Sequence, residues 1–483
     1  MTTERLGCLA RRKTFSKKTF RRHCSWMRPI ALGLFCVAMA IASSAQTFTS
    51  LVSFDGSNGI FPETILQGPD GELWGTAANG GPANCGTVFK MTPAGVLTTV
   101  FTFSCRNDNE PTGLILGTDG DFYGTTFFGG AKNSGEVFKL TRGGALTILA
   151  SFTGQGGEGS GPLGNLAEGA DGNFYGATYG GGTAFSYGTF FKITPTGKLT
   201  TLYQFDFTHG AQPYSGPVVG SDGNFYGTTY SGGQAGLGTV YKISPKGALT
   251  MLHNFVSTAE GFSPISGLVQ GKDGNFYGTT PDGGSGSDGT AFKITPGGTF
   301  TSLHSFAETD GRSPGGTLVQ ATDCNFYGGT GYGGTNDIDG TIFKMTAAGV
   351  VTTVHDFNGT DGADPFPLVQ DTRGTLFGTT GGGGDLNCQP TYGCGTVFSL
   401  SVPAGAFVQT IPTLGRAGTK VTILGTNLTG STSVSFNGVA AAFTVVSSSE
   451  ITTTVPSGAT TGAVEVVTAK RTLKSNVAFH ILR

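Results

Sequence analysis

Short apolar phrases recur in a fixed order along residues 47–400 of this 483-residue chain. The first phrase is Asp-Gly-Asn-Phe-Tyr-Gly-Thr-Thr or a close variant, as at 273–280, and the second is Gly-Thr-Val-Phe-Lys or a close variant, as at 86–90. The third is Leu-Thr-x-Leu-x-x-Phe, as at 249–255. Seven copies of the first phrase are present, and their aromatic residues before Gly stand 49 to 52 residues apart: Trp74, Tyr123, Tyr175, Tyr226, Tyr277, Tyr327 and Phe377.

Each repeat is predicted to contain four short strands. Asp-Gly between two apolar segments is typical of a hairpin turn, and a Pro-x-Gly segment such as 245–247 predicts a second turn. The Thr content and seven-residue length of the third phrase favour a strand over a helix. A period of about fifty residues with four strands predicts a blade of a β-propeller. The expected fold is all-β, a seven-bladed propeller.

The strand set is circularly permuted. The third phrase follows six repeats, but after the seventh the chain continues directly into Val402 and Pro403. The missing copy lies before the first repeat, at 48–54. We therefore expect the N-terminal strand to complete the last blade beside 395–400, which would close the ring with hydrogen bonds.

Composition narrows the class of protein. The chain has 83 Gly, 21 Pro and only 12% charged residues, but 11% aromatic residues. Collagen requires Gly at every third position, disordered chains are poor in aromatic residues, and Gly disfavours helical arrays. Most of the glycines belong to the repeated turns, so the excess indicates turn-rich β-structure.

The first 45 residues differ from the rest and predict a signal peptide with a basic extension. Nine of the 29 basic residues but one acidic residue lie before residue 29, and an apolar run follows from Ile30 to Ala42. Small residues then predict cleavage between Ala45 and Gln46. A membrane anchor is the alternative, although 13 apolar residues are short for a span. Met27 is an alternative start that would give a signal of ordinary length.

Removal of this leader changes the net charge from −2 to −10, because 20 basic and 30 acidic residues remain. An acidic mature chain does not favour a nucleic-acid partner. We expect no stable membrane span in the mature chain and a secreted, extracellular or cell-surface location.

Five cysteines remain after the leader, and an exported protein can keep disulfides. Cys85 and Cys105 flank one hairpin at similar distances from its turn, while Cys388 and Cys394 share one loop. Two disulfides with Cys324 left over are the preferred interpretation, although sequence does not fix the connectivity. Metal binding is the alternative, but these cysteines have neither Cys-x-x-Cys spacing nor a His partner.

The segment after 402 has short alternating strands about ten residues apart, which predict a small Ig-like β-sandwich. Its phrases Gly-Thr-Lys-Val-Thr-Ile-Leu-Gly-Thr-Asn-Leu (418–428) and Val-Ser-Phe-Asn-Gly-Val (434–439) resemble the IPT/TIG domain. Such domains serve as stalks or binding modules. The expected division is therefore 1–45 leader, 46–401 propeller and 402–483 IPT/TIG-like domain.

The three repeated phrases together resemble the GloVer (Gloeo_Verruco-type) tandem repeat of exported bacterial proteins. This resemblance covers about 47–400 and implies export and a propeller-like array. It brings no catalytic residues, because the family has no established activity. The family's usual C-terminal surface anchor has no counterpart in the sequence, which favours a released or non-covalently held protein.

The repeated Asp and Lys invite a structural hypothesis. Both occur in six repeats and both change in the seventh, to Arg373 and Ser399. We expect them to meet within a repeat, as Asp273 with Lys293, in a pair that builds scaffold. The alternative is that Asp only caps its turn and Lys lies on the surface.

Candidate chemistry is sparse. His253, His304 and His355 occupy one position of three consecutive strands, so they should not converge on a metal. Residues 336–340 offer oxygen ligands without the spacing of a calcium loop. No nucleophile elbow, zinc-protease or phosphate-loop motif is present. We expect no catalytic residues, metal or cofactor, and assign no binding residues.

Two functions remain open. The preferred one is a non-enzymatic binding protein for an unknown extracellular ligand, such as a glycan or another surface polymer. The alternative is an extracellular polysaccharide hydrolase or lyase that uses acidic loop residues. The non-repeated polar residues in the loops after the first and third phrases are the first places to search: Arg106, Asp108, Glu110, Glu158, Asp206, His209, Glu260, Arg312, Asp364, Asp282, Asp288, Asp337 and Asp385.

Overall fold

The computed structural model describes residues 46–105, 108–182, 186–335, 338–403 and 405–482. The one helical element among them is a single 3₁₀ turn, Thr258–Glu260, and all other regular elements are β-strands. The all-β class predicted from the glycine-rich repeats is therefore confirmed.

Within the described part of 46–401 the strands form seven antiparallel sheets, each with a four-strand path. We number these sheets 1 to 7. In path order, the strands are Ile60–Gln67, Leu73–Asn79, Thr87–Met91 and Leu97–Thr102 in sheet 1; Asp108–Leu116, Phe122–Gly129, Glu136–Leu140 and Leu146–Ser151 in sheet 2; Gly159–Pro162 with Ala167–Glu168, Phe174–Gly181, Thr189–Ile193 and Leu199–Gln204 in sheet 3; Val218–Val219, Phe225–Thr229, Thr239–Ile243 and Leu249–Asn254 in sheet 4; Val269–Gln270, Phe276–Thr280, Thr290–Ile294 and Phe300–Ser305 in sheet 5; Arg312–Pro314 with Val319–Gln320, Phe326–Tyr332, Thr341–Met345 and Val351–Asp356 in sheet 6; and Ala363–Gln370, Leu376–Gly382, Thr396–Leu400 and Phe48–Ser53 in sheet 7.

The aromatic residues of the first phrase pack neighbouring sheets together. The Tyr226 ring of sheet 4 stacks on Phe276 of sheet 5 at 3.9 Å between centroids, and Tyr123 of sheet 2 stacks on Phe174 of sheet 3 at the same distance. These rings are essentially inaccessible to solvent. Burial of each ring contributes about 1.5–3 kcal/mol. The repeated aromatic residues therefore stabilise the packing of neighbouring sheets.

The fourth strand of sheet 7 comes from the start of the described chain. Phe48–Ser53 pairs antiparallel with Thr396–Leu400, from Phe48 opposite Leu400 to Ser53 opposite Thr396. Sheet 7 also contacts sheet 1, where the Gln67 side chain accepts a hydrogen bond from the Thr372 amide at 2.7 Å. The same contact joins sheets 4 and 5 through Ser221 and Gln270 at 2.8 Å.

The C-terminal residues form two further four-stranded sheets and one parallel strand pair in the described range. Their shared core is aliphatic, with Val421, Ile423 and Val466 among its buried residues. In path order, the strands are Gln409–Ile411, Lys420–Leu424, Glu450–Thr454 and Phe443–Val445 in the first sheet; Val439–Ala441, Ser433–Phe436, Val464–Val467 and Thr472–Lys474 in the second; and Leu414–Gly415 with His480–Ile481 in the parallel pair.

These C-terminal sheets rest on the Asp-Gly turns of the repeat region. Arg142 donates two hydrogen bonds to the Glu450 carboxylate, at 2.7 and 2.8 Å, and a third to the Gly120 carbonyl. The Ser449 hydroxyl donates to the Pro69 carbonyl at 2.7 Å. Leu424 joins the buried cluster of sheets 1 and 2. One end of the repeat region is therefore covered by residues 405–482.

Candidate functional site

A cavity of about 1000 Å³ lies among the first strands of the seven sheets. Every first strand runs from one end of its sheet to the turn before the second strand, which is Asp-Gly in repeats one to five, so all seven deliver equivalent residues to the same level of the cavity. We call the end with these turns the Asp-Gly end, and residues 409–413, 476–478 and His480 line it. We call the opposite end, where the first strands begin, the mouth.

The backbone turns sharply where the chain enters each first strand. A proline follows the turning residue in all seven repeats, and that residue has a φ between +52° and +61°. A residue before proline avoids helical conformations, and strained backbone at one place in every repeat indicates a constraint that the neighbouring sheet imposes. The seven residues around the mouth are Phe61, Glu110, Gly161, Gln212, Ser263, Ser313 and Asp364.

Three carboxyl groups with raised pKa lie at the mouth. Burial raises the pKa of Glu63 to about 8, and the charge of Glu110 raises it further. Burial also raises the pKa of Glu110 and of Asp364. The Tyr392 hydroxyl donates to Asp364 at 3.2 Å, which opposes part of that rise. Carboxyl groups in such surroundings can hold a proton near neutral pH.

We predict that Glu63 makes the folded protein less stable as pH rises. The unfolded carboxyl releases its proton near pH 4.5, whereas the folded one keeps it until about pH 8. Between these values the folded state binds the extra proton, so stability falls with rising pH, by about 5 kcal/mol over the whole interval. Glu63→Gln should remove this part of the slope in melting curves from pH 5 to 8. Parallel wild-type and variant slopes would exclude the assignment.

Aromatic side chains surround the mouth in two arcs. In one arc Phe61 contacts Tyr392 edge-on, and the Arg312 guanidinium lies 6.0 Å from the Tyr332 ring centre. In the other, Tyr214 lies between Tyr179 and Tyr230, with centroids 5.8 and 6.0 Å away. The Phe and Tyr residues with more than a third of their surface exposed, among those the structure describes, belong to mouth loops or, for Tyr332, to the mouth end of a second strand: Phe207, Tyr214, Tyr230, Tyr332 and Tyr392.

A smaller cavity of about 300 Å³ lies on this rim. Ser287, Asp288, Arg312, Ser313 and Tyr332 line it. Asp288 and Arg312 belong to the loops in which the sequence suggested a search for function. The rim therefore combines a flat aromatic ring with polar and charged groups that can donate or accept hydrogen bonds.

Other residues of that search set stabilise their own loops. Glu158 accepts hydrogen bonds from Thr153, Asp206 from His209, and Asp385 from Asn387. Glu260 faces His253 at 3.3 Å. Arg106 and Asp337 lie outside the described residues, as does the Asp108 side chain.

Both disulfides in the structure join mouth loops. Cys85 is bonded to Cys105 with Cα atoms 5.4 Å apart, and Cys388 to Cys394 with Cα atoms 5.9 Å apart. Cys324 is free and exposed. One disulfide lies in the loop that carries Tyr392, and the other constrains the segment that precedes Glu110.

The expected Asp273–Lys293 ion pair requires a correction. Asp273 accepts hydrogen bonds from Asn275 and from the Tyr277 hydroxyl, the latter at 2.8 Å. The ion pairs within 4 Å among the described residues do not include Asp273 with Lys293. Lys293 contributes only a weaker attraction that helps to lower the pKa of Asp273. The equivalent pair does form in repeats two and four, as Lys139 with Asp119 and Lys242 with Asp222.

The tyrosine of the first phrase is the more regular partner of this aspartate. The Tyr hydroxyl four residues later donates to it in repeats two to six, at 2.7–2.9 Å. In repeat one Trp74 donates from its ring nitrogen to Asp70. Repeat seven has Phe377, which has no donor, and Arg373 in place of the aspartate. The simultaneous change of these two residues was the overlooked sequence signal.

The three aligned histidines, His253, His304 and His355, lie on the fourth strands of sheets 4, 5 and 6. Each faces an acid of its own repeat, at 3.3 Å for Glu260, 2.8 Å for Asp310 and 3.0 Å for Asp361. Within the described residues no group of three metal-ligating side chains converges. The oxygen-rich loop at 336–340 is described only in part, since 336 and 337 lie outside those residues. Ala45 of the proposed cleavage site also lies outside, while Gln46 is described.

The chain belongs to the Gloeobacter/Verrucomicrobia repeat family, whose model matches residues 36–220 and 214–443. An IPT/TIG domain model matches residues 407–481. Both resemblances noted in the sequence are thereby confirmed. No curated protein matches the chain.

Solved structures show likeness of fold alone. A fungal alcohol oxidase in complex with copper has 13% identity and a TM-score of 0.50, covering 89% of this chain and 99% of that one. An auxiliary nutrient binding protein from Bacteroides ovatus has 12% identity and a TM-score of 0.41, over 74% and 76% of the two chains. A PQQ-bound aldose sugar dehydrogenase from Streptomyces coelicolor has 16% identity and a TM-score of 0.39, over 60% and 93%. The array of four-stranded sheets is propeller-like.

Proposed function

We propose that this protein is an exported, non-enzymatic binding protein that holds a glycan or another surface polymer at the mouth. The observation that carries the proposal is the one-sided distribution of exposed aromatic side chains, all of which lie at the end of the sheets away from the IPT/TIG domain. Tyr rings offer a flat apolar face and a polar edge, which suits sugar rings with their apolar faces and hydroxyl rims.

The proposed scaffold is a closed seven-bladed propeller with division at 46–401 and 402–483. Two observations support it. Phe48–Ser53 pairs within sheet 7, and the hydrogen bond from the Thr372 amide to Gln67 joins sheets 7 and 1 in the same way that the Ser221 amide and Gln270 join sheets 4 and 5. A ring of this kind holds its loops rigidly, so that their side chains form one preorganised surface.

Export is part of the proposal. A basic and apolar leader with Ala45 and Gln46 at its cleavage site, two disulfides, and a domain type common outside cells support it. Within the described residues no helix is long and apolar enough to cross a membrane. We propose a secreted or cell-surface location and an extracellular polymer as partner.

A polysaccharide hydrolase or lyase is the second candidate. The observation in its favour is the proximity of Glu63 and Glu110 at the mouth, where the charge of Glu110 raises the pKa of Glu63. A carboxylic acid held protonated beside a second carboxylate is the arrangement that glycosidases use. The raised pKa also follows from burial alone, so binding remains the preferred function.

The test is a panel of soluble and insoluble polysaccharides, assayed with the mature protein for binding and for released sugar. We expect at least one polymer to bind without release of sugar. Tyr332→Ala combined with Tyr392→Ala should weaken that binding at least tenfold. Val350→Ala, at an exposed residue of the turn end of sheet 6, is the matched control and should leave it unchanged. Sugar release that Glu63→Gln abolishes would establish the enzyme instead.

A further inference from the structure

The inner part of the cavity is lined by aliphatic side chains in a regular ring. Each sheet contributes one residue from the same position of its first strand: Leu66, Ile115, Ala167, Val218, Val269, Val319 and Val369. Further aliphatic residues one position nearer the mouth also line the cavity, among them Ile65, Leu114 and Leu268. A cavity with such walls offers water few hydrogen-bonding partners and favours apolar occupants.

The IPT/TIG-like domain contributes to the cavity wall at the Asp-Gly end. There Ile411, Pro412 and Val477 line the cavity, and Asn476 donates to the Gln320 carbonyl at 3.4 Å. The volume of about 1000 Å³ lies at the upper end of the range for small-molecule sites, which are mostly apolar with a few placed polar groups. A ligand would therefore enter through the mouth and extend toward the IPT/TIG-like domain.

The polar groups of the cavity are distributed unevenly by charge. Glu63 lies at the mouth, close enough to Tyr214 and to Glu110 for their charges to interact. A second acidic residue, Glu168, and the basic residues Lys272 and His480 line the cavity near the opposite end. No basic residue among the described lining residues stands at the mouth, so a positively charged group there meets no like charge from the cavity wall and favours ionisation of Glu63.

We propose that this cavity binds an elongated amphiphile with an aliphatic body and a primary ammonium head, its body against the aliphatic ring and its head at Glu63. The ammonium donates hydrogen bonds to the carboxylate, and a nearby positive charge favours the ionised form of a carboxyl group. The methylene groups leave water for the aliphatic walls, which contributes about 0.8 kcal/mol each. This site adjoins the aromatic rim at Tyr214, which lines the cavity as well, and the proposal does not depend on glycan binding.

The test is a titration of the intact mature protein with dodecylamine, dodecanol and dodecanoic acid, each below its micelle concentration. We expect dodecylamine to bind one per chain and at least tenfold more tightly than dodecanoic acid. Glu63→Gln should weaken the amine at least tenfold and change dodecanol less than twofold. A head-independent affinity, or an amine affinity that Glu63→Gln leaves unchanged, contradicts the proposal.

Two cavity-filling variants test the location of the aliphatic body. Val269→Phe and Val319→Phe each place a ring in the chamber and should lower the affinity of both the amine and the alcohol at least fivefold. Val350→Phe adds the same ring at an exposed turn and should have no effect. Melting temperatures identify any variant that fails to fold, and the second cavity variant then decides. Binding that survives the filling of the chamber overturns the proposal.

Discussion

Phe54→Ala should destabilise the whole repeat region, although Phe54 lies only nine residues after the proposed cleavage site. Its side chain is fully buried, packed edge-on against Phe89 of sheet 1 at 5.2 Å between centroids. Truncation of a buried Phe costs about 3–5 kcal/mol. We expect a single melting transition that shifts down by several degrees. Deletion of 46–55 should shift it further, because the strand pairing with Thr396–Leu400 is lost as well.

Phe152→Ala is the matched control for this prediction. Phe152 ends the same phrase in sheet 2 and is equally buried, with Phe191 of the next sheet 5.0 Å away. If the first strand closes a ring, the two substitutions should lower the melting temperature by similar amounts. A Phe54→Ala effect below about a third of the Phe152→Ala effect would mean that the N-terminal strand is a loose end.

Arg142→Ala should loosen the IPT/TIG-like domain from the repeat region. Glu450 is 4% exposed and receives both hydrogen bonds from Arg142, so the variant leaves a buried carboxylate without its cation. Loss of one partner of a buried pair costs about 3–5 kcal/mol. Arg142 is 41% exposed, and solvent screening reduces the expected cost to about 2 kcal/mol. Limited proteolysis should release a fragment that begins near residue 402.

Lys474→Ala provides the comparison within the same domain. Lys474 pairs with Glu465 at 2.7 Å, but both side chains are accessible to water. Exposed pairs contribute up to about 1 kcal/mol, so this variant should resist proteolysis like the wild type. Equal resistance of Arg142→Ala would show that the apolar contact of Leu424 alone holds the two parts together.

The repeat phrases predicted the architecture because they are copied. Seven copies of an apolar–aromatic pair, Phe-Tyr in five of them, between a tight turn and the second phrase leave little freedom in how each unit folds, and the strand boundaries follow the phrases closely. The position of Phe48–Ser53 was predicted from counting alone. The Asp273–Lys293 contact was predicted but does not form, because a lysine side chain reaches several acceptors and Asp273 already accepts hydrogen bonds from Asn275 and Tyr277.

The mouth and the cavity were harder to predict from the sequence. Its carboxyl groups come from three repeats, with Glu110 and Asp364 before the entry proline and Glu63 after it, and the other repeats have no acid at these positions. Their common location at the mouth follows from the sheet topology, since the first strands of all sheets begin at one end. The recurring residue before proline was a visible signal, but its positive φ depends on packing against the next sheet.

The contact between the C-terminal domain and the repeat region was also not predicted from the sequence. Arg142 stands where other repeats have Pro or Ala in the second turn, and this single departure supplies the partner of Glu450. Departures from a repeat are thus informative about interfaces, whereas the copied residues build the scaffold.

A crystal structure with an oligosaccharide from the polymer selected in the binding panel tests the central claim most directly. Our account predicts sugar rings against the exposed tyrosines of the mouth, with Tyr332 or Tyr392 beneath at least one of them. Electron density for the sugar on the IPT/TIG-like domain or along the outer strands, with the mouth empty, would contradict it.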